Sequence, residues 1–271
     1  MNVLHAALLG VIQGATEFLP VSSDGHLAVA YYLLGEKPDL TFEVFLHGAT
    51  LLAMIAYFRS DIIRLLSSLL PANKDRKSDR RLVVLILVGT AISGVIALGM
   101  APYIEGISAS MTWVGLGFLG TATLLTLGEA LSRRAARLAD PSDLGPLRAG
   151  LVGALQGLAV LPGVSRSGST IAAGMFAGLS REAAARFSFL LGMPIIALAA
   201  AKDTVDLLGG NTTLPGVVPS IVGFVAAGVS GYLAIAGLLA LVKRHSLYWF
   251  AAYTAVLGTA MLLLTTVFAR G

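Results

Sequence analysis

Residues 8–30 read LLGVIQGATEFLPVSSDGHLAVA, and residues 151–173 read LVGALQGLAVLPGVSRSGSTIAA. Both stretches are apolar and are interrupted at the centre by Pro, Gly and Ser. Aligned at a spacing of 143 residues, they match at eight of 23 positions. Chance would give about two matches for this composition, so the pair indicates an internal duplication. Each stretch predicts a helix, a polar break and a second helix, which a membrane tolerates only where protein or water surrounds the break.

The composition of the whole chain is that of a membrane protein. Of its 271 residues, 56% are hydrophobic and 13% are charged, whereas a soluble domain carries about 25% charged residues to cover its surface. The mean hydropathy of +0.83 agrees, and together these values exclude an ordinary soluble enzyme. The chain has no cysteine, which excludes disulfides and thiolate metal sites.

Outside the two interrupted stretches, six segments are apolar over about the 20 residues that a membrane-spanning helix needs. They predict an all-α polytopic fold, a single integral membrane domain over residues 1–271, with spans at 40–58, 82–104, 106–128, 186–205, 215–242 and 246–269. The interrupted stretches, 2–35 and 148–179, are expected to be re-entrant helix-loop-helix segments. The two halves of the repeat then cover about residues 1–130 and about residues 148–271.

The basic residues are concentrated in short loops, so we interpret the net charge of +4 as a topology signal and expect no nucleic-acid partner. In this arrangement fifteen cations fall on one side, which the positive-inside rule makes cytoplasmic; they include Lys74, Arg133, Arg134 and Arg137. Each half has three spans, so the second half is expected to be inserted in the opposite orientation. Transporters with inverted repeats build their sites where the broken helices meet, near the bilayer midplane.

Ionisable side chains fall in both breaks, with Glu17, Asp24 and His26 in the first and Arg166 in the second. Each costs about 2.5–3.5 kcal/mol at membrane depth on insertion scales, so we interpret them as functional. A Gly- and Ser-rich turn that begins a helix offers backbone N–H groups to an anion, and an arginine adds forked binding of phosphate oxygens. The pattern predicts a phosphate site whose candidate residues are Arg166, Ser165, Thr170, Ser22 and Ser167.

The first break carries the groups that a phosphate-ester reaction requires. Ser23 is a candidate nucleophile, and His26 is a candidate general base and acid. Glu17 is a candidate for orienting the imidazole or for holding a divalent cation. Gln13, one helical turn before it, shares the same helix face. Direct attack by His26, or its activation of a water molecule, are the alternatives to a Ser23 nucleophile.

Each functional interpretation has an alternative. Arg166 could instead form a structural salt bridge to Glu17 or Asp24. His47 lies alone in an apolar segment, and we expect it to serve hydrogen-bonded packing. Glu129 lies near the end of a span, where its carboxylate can reach the membrane surface, so it is assigned no chemistry. For the whole protein, the alternative is a secondary transporter or flippase for a phosphate-bearing lipid or anion. A carrier would need neither a nucleophile nor a proton-transfer group.

At two motifs the sequence resembles the undecaprenyl-diphosphate phosphatase family, also described as bacitracin-resistance proteins. The motifs are QGATEFLPVSSDGH at residues 13–26 and PGVSRSGST at residues 162–170. The resemblance implies a hydrolase that removes the terminal phosphate of undecaprenyl diphosphate, regenerates the carrier lipid for cell-wall synthesis and confers bacitracin resistance. The family's functional positions correspond to Glu17, Ser23, His26, Ser165, Arg166 and Thr170.

The resemblance also implies a divalent cation, commonly Mg²⁺ or Ca²⁺, and a site that opens to the extracytoplasmic face of the bacterial cytoplasmic membrane. Gln13 stands where the family has an acidic residue or Gln, and Asp24 stands where a small hydroxyl residue is expected. Both are kept as candidate metal ligands beside Glu17, and Asp24 could instead pair with Arg166. The expected partners are the polyprenyl diphosphate and the bilayer, and the glycine-rich spans permit a homodimer.

Overall fold

A computed structural model of the chain describes residues 1–73, 75–104, 107, 110–132, 138–209 and 213–268. Within these ranges the fold is all-helical, without a β-strand. The helices are α1 (Val3–Phe18), α2 (Ser23–Leu34), α3 (Leu40–Tyr57), α4 (Arg59–Ser68), α5 (Lys77–Ile104), α6 (Met111–Ser132), α7 (Pro146–Leu158), α8 (Arg166–Phe176), α9 (Arg181–Leu208), α10 (Val217–Arg244) and α11 (Tyr248–Phe268).

Six of the described helices are long and apolar enough to cross a membrane, namely α3, α5, α6, α9, α10 and α11. They coincide with the six predicted spans, which confirms a multi-pass membrane protein. Two of them begin before the predicted apolar segment, α5 at Lys77 and α9 at Arg181, because the helix continues through polar residues at its end. The predicted start of one span at Gly106 lies outside the described residues, as do Lys74, Arg133, Arg134 and Arg137.

Helix α4 was not predicted, since its charged residues suggest a loop. Its Asp61 carboxylate accepts hydrogen bonds from Arg64 in the same helix (3.0 Å) and from Arg186 of α9 (2.9 Å). Arg64 also pairs with Asp79 at the start of α5. The basic loop is therefore attached by ion pairs to two of the long helices.

Glu129 does not extend its carboxylate outward from α6, contrary to the prediction. Its side chain is fully buried at the end of α6, where it pairs with Arg181 at the start of α9. One of its oxygens also accepts a hydrogen bond from the backbone N–H of Leu247, just before α11 (3.2 Å). The carboxylate is retained inside because it has charged and polar partners from two other helices.

The two polar breaks lie against each other inside the helical assembly. The first separates α1 from α2, and the second separates α7 from α8. Ser167 Oγ in the second break donates to the carbonyl of Leu19 in the first (3.0 Å). Next to the first break, Phe18 at the end of α1 packs edge-on against Phe189 of α9, with ring centroids 5.6 Å apart. This apolar contact fixes the end of α1 at the point where the polar residues begin.

Glycines bring the first helix of each broken pair close to a long helix. A Cβ atom at Gly10 of α1 would overlap the carbonyl oxygen of Gly223 in α10. A Cβ atom at Gly153 of α7 would likewise overlap the carbonyl oxygen of Gly89 in α5. Because these helices approach at backbone distance, any larger side chain at either position would push them apart.

Candidate active site

The first break is a tight turn that places Ser23 at the start of α2. Ser22 has a φ of 70° and is the one described non-glycine residue with a positive φ. Such a conformation costs about 1–3 kcal/mol and persists only where neighbouring groups hold it. Here the Nδ1–H of His26 donates to the Ser22 carbonyl (2.7 Å), and Ser22 Oγ accepts from the N–H of Gly25 (3.4 Å).

Glu17 is the centre of the site and joins the two breaks. Its Oε1 accepts a hydrogen bond from Arg166 Nη2 (2.6 Å). Its Oε2 accepts from Ser23 Oγ (2.6 Å) and from Gln13 Nε2 (3.0 Å). The carboxylate is 6% exposed. Three predicted site residues, Gln13, Ser23 and Arg166, therefore meet at a fourth, the buried Glu17. The salt bridge between Glu17 and Arg166, given above as the alternative interpretation of Arg166, is present.

His47 of α3, for which we expected hydrogen-bonded packing, belongs to this cluster. Its Nε2 lies 3.3 Å from Glu17 Oε2 and 3.9 Å from Asp24 Oδ1. Its Nδ1 lies 2.9 Å from the carbonyl oxygen of Glu43, which can only accept, so Nδ1 carries a proton. Nδ1 is thus the donor to Glu43, and Nε2 is the nitrogen directed at the two carboxylates. Its depth within a predicted span was the signal that sequence reasoning passed over.

His26 is directed away from this cluster. Both of its ring nitrogens are engaged, Nδ1 by the Ser22 carbonyl and Nε2 by the hydroxyl of Tyr253 in α11 (2.7 Å). Its ring stacks on the ring of Tyr253 with centroids 5.6 Å apart. The structure thus brings Glu17, not His26, to the hydroxyl of Ser23, and the general-base role of His26 stays a prediction.

The second break is supported from α6. The Ser165 N–H donates to Thr121 Oγ1 (2.9 Å), and Ser165 Oγ accepts from the N–H of Gly168 (3.0 Å), which caps α8. The Thr170 hydroxyl bonds to Ser188 Oγ of α9 (2.5 Å). Of the hydroxyl residues predicted here to bind phosphate, Ser165 lines the cavity described next, while the Ser167 and Thr170 hydroxyls bond to other parts of the fold.

A cavity of about 290 Å³ lies between the breaks and helices α3, α5, α7 and α9. Its polar wall contains both predicted and unpredicted residues, namely Glu17, Ser22, Ser23, Asp24, His47, Ser165 and Arg166. The remainder of the wall is mostly apolar. This combination, a small group of convergent polar side chains in an apolar surround, is typical of a ligand site.

Arg166 keeps one hydrogen-bond donor without an acceptor. Its Nη1 is buried and has no hydrogen-bond partner among the residues that the structure describes. The guanidinium lies over Gly192 of α9, where a Cβ atom would overlap Nη1. A buried charged donor without an acceptor is costly, so an anion in the cavity would stabilise this arrangement.

The arrangement does not fit a resident divalent cation. Both oxygens of Glu17 already have partners, Arg166 at Oε1 and Ser23, Gln13 and His47 at Oε2. In the described part of the chain, no group of three or more His, Cys, Asp or Glu side chains is arranged to hold a metal ion. Metal binding by Glu17, Gln13 or Asp24 therefore stays a prediction, and no reaction step is derived through a metal.

The chain is similar over its length to known proteins. The family profile described as bacitracin resistance protein BacA matches residues 6–260. An undecaprenyl-diphosphatase of Carboxydothermus hydrogenoformans is 38% identical, with 97% of this chain and 98% of the relative covered. Those of Geobacter sulfurreducens and Geobacter metallireducens are 40% and 41% identical at the same coverage. The family profile thus matches this chain from its first helix to its last, and the chain belongs to the BacA bacitracin-resistance family.

Proposed function

We propose that the protein hydrolyses undecaprenyl diphosphate to undecaprenyl phosphate and inorganic phosphate. Its relatives are named for this activity. The observation that carries the proposal is the hydrogen bond from Ser23 Oγ to Glu17, next to Arg166, in a cavity within a membrane-spanning fold. The product is the carrier lipid that cell-wall synthesis uses, and its recycling accounts for bacitracin resistance.

The second break binds the diphosphate in this proposal. Arg166 offers its Nη1 to a phosphate oxygen, and Ser165 lies beside it in the cavity wall. The first N–H groups of α8 add the positive end of a helix dipole. Ser167 and Thr170 hold the break in shape through their bonds to Leu19 and Ser188.

Ser23 is the proposed nucleophile. Its Oγ attacks the terminal phosphorus while its proton passes to Glu17, and the bond from that phosphorus to the bridging oxygen breaks, releasing undecaprenyl phosphate. Water then attacks the phosphoserine: the serine oxygen leaves and takes its proton back from Glu17, and both hydrogens of the water remain on the released dihydrogen phosphate. The Arg166 cation offsets the developing negative charge, as a preorganised positive group beside the reacting phosphate does.

His26 is assigned a positioning role here instead of the general-base role expected from its residue type. Through Ser22 it holds the strained turn that presents Ser23. His47 is likewise a positioning residue, because it contacts Glu17. Attack by a water molecule activated by Glu17 is the alternative to a phosphoserine, and both routes use the same carboxylate.

Equivalent contacts in the two halves support an inverted repeat with two re-entrant segments. Gly153 follows Gly10 by 143 residues, and each lies against a glycine of a long helix in the other half. Ser165 follows Ser22 by the same spacing, and each caps the second helix of its pair. The basic loops then lie in the cytoplasm and the site opens to the extracytoplasmic face of the bacterial cytoplasmic membrane.

Two further expectations stand as proposals. A divalent cation, Mg²⁺ or Ca²⁺, would enter with the diphosphate, whose oxygens are its preferred ligands. A homodimer would use the glycine-rich outer faces of the spans.

Phosphate release from a long-chain polyprenyl diphosphate by the purified protein in detergent tests the function. We expect wild-type protein to release phosphate, and Glu17→Gln, Ser23→Ala and Arg166→Ala each to lose about 100-fold or more. Activity in Ser23→Ala at the wild-type level would remove the serine nucleophile. If proteoliposomes moved the lipid across the membrane while releasing no phosphate, the transporter alternative would replace the proposal.

A further inference from the structure

A second, apolar cavity adjoins the site along α3. It has a volume of about 220 Å³ and shares Val44 with the cavity that contains Glu17 and Arg166. On α3 its wall is formed by residues at helical spacing, which places them on one face; they are Thr41, Val44, Phe45, Gly48 and Leu52. Opposite them lie Ala200 and Thr204 of α9 and Phe224 of α10. We call these eight residues the tail groove.

The tail groove continues towards the far end of α3. A third cavity, between α3 and α10, shares Leu52 and Phe224 with it and extends to Ala56. From Val44 to Ala56 the helix rises about 18 Å at 1.5 Å per residue. The tail groove and this third cavity together form a track that begins at the polar site and follows α3 for over half of the helix's length.

Among the residues that the structure describes, no charged side chain lines either cavity along this track. Leu52 is 55% exposed on the outer surface, so the track is open on the side that faces lipid. At Gly48 an added Cβ would have one neighbour, a ring carbon of Phe224 at 3.8 Å. The absence of a side chain there keeps the groove wide at its middle.

We propose that the tail groove carries the isoprenoid tail of the lipid diphosphate, with the tail leaving the site between α3 and α9. This inference rests on the proposed function. The head group must reach a buried polar cavity while the tail stays in hydrocarbon, because exposing each methylene to water is costly. The groove offers no hydrophobic gain over lipid. Its contribution is steric. A bulky apolar chain attached to a bound phosphate needs a passage from the polar cavity to the lipid, and the groove provides that passage.

Filling the groove tests this route. Gly48→Leu places a side chain in its middle, and Ala200→Leu does so from the opposite wall. For each variant we expect kcat/KM for a long-chain polyprenyl diphosphate to fall by about tenfold or more. Hydrolysis of a diphosphate with a short, water-soluble alkyl tail should stay at the wild-type level. Gly120→Leu is the control, because a Cβ at Gly120 of α6 has no neighbour within 4 Å, and it should affect neither substrate.

Unchanged long-chain activity in both filled variants would overturn the proposal, and so would an equal loss on both substrates. A second measurement does not depend on turnover. A polyprenyl phosphate with a photoreactive group near its head should crosslink to residues 41–52 and 200–204. Crosslinks at Ala97 and Val160, on the other apolar side of the site cavity, would place the tail elsewhere. A protein that crosslinks in the groove but releases no phosphate would disprove the phosphatase activity alone.

Discussion

At the scale of single residues, the site is organised by one carboxylate. Glu17 binds side chains from its own helix, from both breaks and from α3, so its position is fixed from several directions. Of these partners, His47 was the one that the sequence interpretation placed outside the site. A histidine in an apolar segment looks the same in sequence whether it contacts a backbone carbonyl or a carboxylate. Only the packing of α3 against the first break decides between them.

Two substitutions of His47 distinguish the effect of its hydrogen bond from the effect of its side-chain volume. His47→Gln keeps a donor that can reach Glu17, and we expect it to retain activity within about tenfold of wild type. His47→Leu keeps the volume but removes the donor, and we expect kcat to fall by about 100-fold. Steady-state phosphate release measures both, and thermal unfolding checks that they are folded. Equal activities of the two variants would mean that His47 only fills space.

Gly192 is expected to control the position of Arg166. A Cβ in Gly192→Ala would overlap the Arg166 guanidinium. Because the guanidinium is the movable end of a long side chain, it can shift, and the unfolding free energy should change by less than about 1 kcal/mol. Displacing the phosphate-binding group should lower kcat/KM by about 100-fold.

The matched control for Gly192→Ala is Gly94→Ala in α5, where a Cβ meets no neighbour within 4 Å. It should retain full activity. If Gly192→Ala were as active as this control, Arg166 would not need its observed position.

At the scale of helices, the spans and the two breaks could be predicted, because long apolar segments and Pro–Gly–Ser interruptions are local signals. Helix α4 and the burial of Glu129 could not be. Both depend on ion pairs with residues far away in the chain, such as Asp61 with Arg186 and Glu129 with Arg181. The sequence around a charged residue near the end of a span does not show whether an oppositely charged partner lies inside the fold.

Removing the buried carboxylate at the junction of α6, α9 and α11 should destabilise the fold. In Glu129→Ala the Arg181 side chain loses its counter-charge, and we expect a loss of about 3–5 kcal/mol in unfolding free energy. Thermal or denaturant unfolding in detergent measures this loss. Glu182→Ala is the control, because Glu182 pairs with Lys243 at the exposed surface (3.1 Å) and should cost about 1 kcal/mol or less. Similar losses in the two variants would contradict a special role for the buried pair.

At the scale of the whole molecule, the internal repeat that we propose has matching contacts in its two halves. Gly10 and Gly153 occupy equivalent positions on α1 and α7 and face glycines of α10 and α5. The residue matches at a spacing of 143 predict a repeat, but the contacts between the halves could not be predicted from them, since those contacts depend on how the helices pack.

Equivalent substitutions in the two halves should have equivalent effects. We expect Gly10→Ala and Gly153→Ala each to lower the unfolding free energy by about 1–3 kcal/mol, because the added methyl meets backbone of a neighbouring helix. Gly120→Ala, with open space around its Cβ, should be neutral or stabilising by up to about 1 kcal/mol. Unfolding in detergent compares the three. A loss in one half but not in the other would argue against equivalent packing.

The bond between Glu17 and Arg166 has a consequence for the proposed reaction. While it persists, the carboxylate that must accept the serine proton is itself neutralised by the guanidinium that must hold the phosphate. In the proposed mechanism the diphosphate binds at Nη1 while Nη2 stays on Glu17, so one guanidinium would align the phosphorus atom with the carboxylate. The distance between substrate and base would then be set by a single side chain.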